Sequence, residues 1–126
     1  MPFRADCIAA IESRGFLFGS SLASRIGLPL VLIRKNGKLP DEKQKITYDS
    51  EYGQDTLEIH DNAVSAGQRV LIVDDLLATG GTVSALCQLI EKLGGVVAGV
   101  AVLVELSDLG GRKLLGDKNV SALVHY

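Results

Sequence analysis

Four runs of the chain are apolar almost without interruption: Cys7–Ile11 (CIAAI), Leu30–Ile33 (LVLI), Val70–Val73 (VLIV) and Val96–Val104 (VVAGVAVLV). Ser121–Tyr126 (SALVHY) is a fifth, weaker one. Runs that are apolar at every position suit strands of a parallel sheet covered on both faces. Between them the period changes. Phe18, Leu22 and Ile26 recur every fourth residue, and Val83, Leu86, Ile90 and Leu93 every third or fourth. This predicts helices over Gly15–Ile26 and Thr82–Leu93. Gly94-Gly95 supplies a stop for the second. Strands alternating with helices predict an α/β fold, a parallel twisted sheet flanked by helices with right-handed crossovers.

One segment breaks this rhythm. Arg34–Gln44 (RKNGKLPDEKQ) is charged and carries Gly37 and Pro40. It reads as a flexible loop, and long loops in compact domains are commonly functional. Beyond it, Ile46–Tyr52 and Thr56–Ile59 alternate about Gly53-Gln54-Asp55, which predicts a β-hairpin turning at those three residues. There is no internal repeat, low-complexity tract or linker.

Bulk properties narrow the function classes. The 126 residues suit one domain, with 47% hydrophobic residues and a formal charge of −2. Without a basic excess, nucleic-acid binding is not expected. No apolar run approaches the roughly 20 residues of a membrane span, and MPFRADC at the start has no signal-peptide character. Cys7 and Cys87 each lie in an apolar stretch and are expected to be buried and reduced, which suits the cytoplasm. His60 and His125 have no metal-spaced partner and read as structural or surface residues.

The chemistry gathers at one seam. After Val70–Val73 come Asp74 and Asp75, then Ala78-Thr79-Gly80-Gly81-Thr82, then a helix. Open α/β sheets bind ligands where a strand end meets a helix start. Free N–H groups and the helix dipole there attract an anion, and Gly80 and Gly81 let the backbone approach it closely. The seam is neither a Walker loop nor a GxGxxG fingerprint. Two carboxylates beside a phosphate require donors or a cation between them. A sugar 5′-phosphate answers both needs, with its phosphate in the turn and its hydroxyls, directly or through Mg²⁺, on Asp74 and Asp75. The plainer alternative is an acidic helix entry with a glycine turn.

Val70–Thr82 (VLIVDDLLATGGT) resembles the phosphoribosyl diphosphate (PRPP) signature of type I phosphoribosyltransferases, in the version carried by adenine phosphoribosyltransferases. IESRGFLFG (Ile11–Gly19), IRKNGKLP (Ile33–Pro40) and YDSEYGQDTLEIH (Tyr48–His60) are similar to further blocks of that family. The resemblance implies a Rossmann-like core with a flexible loop and a hairpin. It implies conversion of adenine and PRPP to AMP and pyrophosphate, with Mg²⁺, in a homodimer. On it, Ser13 and Arg14 grip pyrophosphate behind a cis peptide, and Arg34, Lys35 and Lys38 are cations for the departing pyrophosphate. Glu51 and Tyr52 take the catalytic place: a carboxylate to accept the purine's proton, and a ring to shield the site from water.

The likeness departs from the family at the front, where the segment that forms a hood over the base is not matched. The chain is therefore read as one core domain, 1–126, without that hood. On that reading, Cys7–Ile11, Leu17 and Phe18 are expected to leave apolar surface open, which association would cover. A non-catalytic PRPP or AMP binder, or an inactive core of the same fold, is the alternative to the enzyme.

Overall fold

The computed structural model describes residues 4–35, 43–50 and 53–126. Seven strands form one sheet in the order β3-β4-β2-β1-β5-β6-β7. They are β1 (Cys7–Ile11), β2 (Leu30–Lys35), β3 (Lys43–Ser50), β4 (Gly53–His60), β5 (Arg69–Leu77), β6 (Val96–Glu105) and β7 (Val120–His125). β2, β1, β5, β6 and β7 are parallel, while the β3–β4 hairpin joins antiparallel through Arg34↔Glu58 and Lys35↔Leu57. The expected parallel sheet and the expected hairpin are both present, and the hairpin, which needs no crossover, forms an antiparallel edge.

Side chains of a strand alternate between its faces, and the core divides accordingly. Cys7, Ala9, Ile11, Val70 and Ile72 pack with helix α2 (Gly81–Lys92), through Val83, Leu86, Leu89 and Ile90. Ile8, Leu71 and Val73 pack with Ala23 of helix α1 (Arg14–Ile26) on the other side. β1 is wholly buried, each residue 0–1% exposed. The expectation of an open first strand is therefore wrong, because β1 lies between β2 and β5. Leu17 and Phe18 are exposed as expected, at 69% and 39%.

α1 exists where the period predicted it, but it presents a different face to the sheet. Its buried residues are Gly15, Gly19 and Ala23, while Phe18 and Ile26 lie outward. A Cβ on Gly19 would stand 2.5 Å from that of Ala10, so this stripe of small residues sets how closely the helix lies on the sheet. α2 ends as the glycine pair predicted. Gly94, at φ +88°, donates to Glu91 O, and Gly95 donates to Ile90 O, the paired bonds of a Schellman cap.

Two boundaries move. β5 runs on to Leu77, so Asp74 and Asp75 belong to the strand itself and not to the turn after it. In the hairpin Ser50 faces Gly53, so Gly53-Gln54-Asp55 begins β4 and is not the turn. Most of the expected loop, residues 36–42, lies outside the described residues. Among the described residues no helix is long and apolar enough to cross a membrane.

Candidate active site

From β1 the chain passes through α1 to β2, on one side, and from β5 through α2 to β6, on the other. The gap between the C-terminal ends of β1 and β5 is thus the point where the winding reverses, the expected ligand crevice of an open α/β sheet. A cavity of about 420 Å³ opens there, reached by Ser13, Arg14, Lys35, Asp74, Asp75 and Ala78–Thr82.

Its floor is the turn between β5 and α2. Gly80, at φ +86°, is the residue before the helix, and no side chain caps that end. The first N–H groups of α2 therefore have no side-chain acceptor, and the helix dipole places partial positive charge there. Thr79 and Thr82 add hydroxyls to the cavity wall. Tyr48 Oη lies 3.0 Å from Thr82 Oγ1, tying the hairpin to the turn.

The carboxylates of Asp74 and Asp75 line the same cavity. Asp74 Oδ1 accepts the N–H of Asp75 at 2.9 Å. Asp75 Oδ2 lies 2.9 Å from Arg14 Nε. Burial pushes the Asp74 carboxyl up to about 7; the Asp75 N–H and Lys35 oppose this, while the Asp75 charge adds to it. Burial likewise raises Tyr48, which therefore keeps its hydroxyl proton at neutral pH.

The first strand brings the remaining groups. The Glu12–Ser13 peptide is cis, as the resemblance implied, and Arg14 opens α1 directly after it. Glu12 Oε1 accepts from Lys35 N at 2.9 Å and from Arg34 Nε at 3.1 Å. Arg34 is thus engaged by Glu12 and does not line the cavity, whereas Lys35 does. Of the two cations expected at the ligand, Lys35 thus lines the cavity itself and Arg34 meets it through Glu12. Lys38, Glu51 and Tyr52 lie outside the described residues.

Sequence reading missed Glu12, Tyr48, Asp55 and Leu76, although all four line the cavity. Tyr48 carried a signal, since it alternates with Ile46 on the half-buried side of β3. Asp55 pairs with Tyr48 across the hairpin. Leu76 also borders a second, apolar cavity of about 400 Å³ with Leu17, Phe18, Leu103 and Val104.

Neither cysteine offers a nucleophile to this site. Both are buried and unpaired, and burial raises Cys7 and pushes Cys87 up to about 11. Among the described residues no group of three or more His, Cys, Asp or Glu side chains is placed to hold a metal ion.

Residues 2–124 match the family of the phosphoribosyl transferase domain. The chain is 52% identical over 121 residues to the adenine phosphoribosyltransferase of Clostridium acetobutylicum, covering 96% of this chain and 70% of that one. It superposes on the crystal structure of adenine phosphoribosyltransferase from Thermoanaerobacter pseudethanolicus with a TM-score of 0.95, at 52% identity, covering 98% of this chain and 72% of that one. For the Saccharomyces cerevisiae enzyme, complexed with an imino-altritol bisphosphate and adenine, the TM-score is 0.90 at 46% identity, with 95% and 68% covered. A sheet that reverses its winding over a carboxylate pair and an uncapped helix start, and a likeness that spans nearly the whole chain, agree: this chain belongs to the phosphoribosyltransferase family, among its adenine phosphoribosyltransferases.

Proposed function

We propose that the cavity between β1 and β5 binds PRPP and that the chain joins its ribose to adenine, giving AMP and pyrophosphate in purine salvage. One observation carries this most directly. The uncapped start of α2 and the Asp74–Asp75 pair line the same cavity. A phosphate and a diol on one small sugar match that pairing. The turn Ala78–Thr82 takes the 5′-phosphate on its N–H groups. Asp74 and Asp75 accept hydrogen bonds from the ribose hydroxyls.

Ser13, Arg14 and Lys35 take the diphosphate, and the two cations stabilise the negative charge that gathers on it as the bond to C1′ breaks. Arg34 acts at one remove, holding Glu12. The N9–C1′ bond forms as the C1′–O bond breaks, and the purine proton passes to a carboxylate. Glu51 is the residue proposed for that proton and Tyr52 for the cover, on the resemblance alone, with Lys38 a further cation near the diphosphate. Leu76, at the border of the polar and apolar cavities, offers an apolar wall for the adenine ring. The Saccharomyces cerevisiae complex with adenine and a bisphosphate supports the same pair of ligands.

Two adjacent carboxylates are hard oxygen donors suited to Mg²⁺. They could complete the shell of an ion carried in by the diphosphate, which would neutralise charge there. We further propose a cytoplasmic homodimer, supported by the apolar surface at Leu17 and Phe18. Likeness to enzymes over 96% of the chain favours catalysis over a non-catalytic binder. The deciding assay follows AMP formation from adenine and PRPP with Mg²⁺. Binding of ribose 5-phosphate without turnover would move the reading to a binder, and absence of both would end it.

A further inference from the structure

Behind the phosphate turn, away from the cavity, stands an ion pair between a buried glutamate and a surface arginine that the reaction does not use. Glu105, the last residue of β6, is only 5% exposed. Arg112, on the short helix α3 (Gly111–Leu114), reaches it with two nitrogens: Nη2 at 2.7 Å from Oε1 and Nε at 3.2 Å from Oε2. Arg112 Nη1 also donates to Val120 O at 2.8 Å. The guanidinium therefore spans β6 and β7, and its pull holds the Glu105 carboxyl below the usual range.

The residue before Arg112 is what gives this grip a consequence. A Cβ on Gly80 would stand 2.8 Å from Gly111 O and 3.0 Å from Gly111 Cα. A Cβ on Gly111 would collide with Ala78 O and come within 3.0 Å of Leu77 Cγ. Gly80 and Gly111 thus pack backbone to backbone, at the only kind of residue that allows it. Beside them Leu106 N donates to Leu77 O at 2.8 Å.

We propose that Glu105 and Arg112 are positioning residues for the phosphate turn, holding Gly111 as the back wall that fixes Ala78–Gly80 for the ligand's phosphate. This rests on the reading that the turn binds that phosphate. A two-pronged guanidinium grip fixes orientation as well as distance. The N–H groups of the turn act only while they converge on one point, and misplacing a positioned group by an ångström costs on the order of a hundredfold in rate.

The test uses Gly111→Ala, which pushes on Ala78 with the ion pair intact, and Arg112→Lys, which keeps the charge but loses the fork. Arg112→Met is the harsher variant. His125→Gln is the control, since His125 Nδ1 also reaches Glu105 Oε1, at 3.1 Å, but is not joined to Gly111. Thermal denaturation sets a temperature at which each variant is folded. There, ribose 5-phosphate affinity and the KM for PRPP should each worsen by about tenfold or more in Gly111→Ala and Arg112→Lys. The KM for adenine should hold, and His125→Gln should match the parent. A merely structural pair would lower the folded fraction without separating the two KM values. Parent-like ribose 5-phosphate binding in folded Gly111→Ala or Arg112→Lys overturns the proposal while leaving the phosphate turn in place. Failure of the parent itself to bind ribose 5-phosphate overturns the functional reading, and this proposal with it.

Discussion

Gly15 carries no side chain where Asp74 stands: a Cβ there would lie 2.9 Å from Asp74 Oδ1 and 3.2 Å from Val73 O. The first turn of α1 and the end of β5 are therefore in direct register, and the position of one sets that of the other. Gly15→Ala should force them apart. Overpacking of this kind costs about 1–3 kcal/mol. Thermal denaturation should show the loss, and calorimetry should show weaker ribose 5-phosphate binding as Asp74 is displaced. Unchanged binding would detach Asp74 from the ribose.

Asp74 also predicts a pH dependence. Its carboxyl is raised from 3.8 to about 7, chiefly by burial. The folded state thus holds that proton more tightly than the unfolded chain does. The stability it contributes is full below pH 3.8 and is lost as pH rises through about 7. The ionised form accepts more strongly from the ribose hydroxyls, so affinity should rise across the same upper limit. In Asp74→Asn the step near pH 7 should vanish, leaving the ligand phosphate's own titration near about pH 6.

Tyr48→Phe removes the hydroxyl that meets Thr82 and little else. One such hydrogen bond is worth about 0.5–1.5 kcal/mol. AMP binding should weaken by a comparable amount. Thr82→Val should act on the same bond, so the double variant should lose less than the sum of the two. Strict additivity in calorimetric titrations would mean that the two hydroxyls act independently.

The two glycines of the turn should respond differently. Gly80 has φ +86° and stands against Gly111, so a side chain there meets backbone as well as strain. Gly80→Ala should lower stability by about 1–3 kcal/mol. A Cβ on Gly81 finds only ordinary contacts, Asp49 O at 3.5 Å and Thr79 Oγ1 at 3.8 Å. Gly81→Ala should stay within about 0.5 kcal/mol of the parent in denaturant melts.

What was legible in the sequence was whatever local pattern decides. The β1 run, both long helices and the glycine turn between β5 and α2 follow from period and turn chemistry, and the structure keeps them. What escaped depends on partners far along the chain. The buried face of α1 is a stripe of Gly15, Gly19 and Ala23, which has no hydrophobic signal because its purpose is closeness. Arg34 and Lys35 look alike as neighbours, yet strand geometry gives one to Glu12 and the other to the cavity. Asp55 reads as a turn residue until the register sets it opposite Tyr48.

The place of β1 in the sheet has a kinetic consequence. Its two neighbours are β2, close in sequence, and β5, where Cys7 meets Val70 and Ala10 meets Val73. The second pairing closes a long stretch of chain before it gains anything, and such non-local parallel contacts slow folding, commonly into the millisecond-to-second range. On a ribosome, β1 waits without its second partner until β5 has emerged. The crevice lies between those same two strands, so it comes into being only at that late event. A ribose phosphate ligand can then stabilise only the finished fold, and its capture should report the last docking step in a refolding experiment.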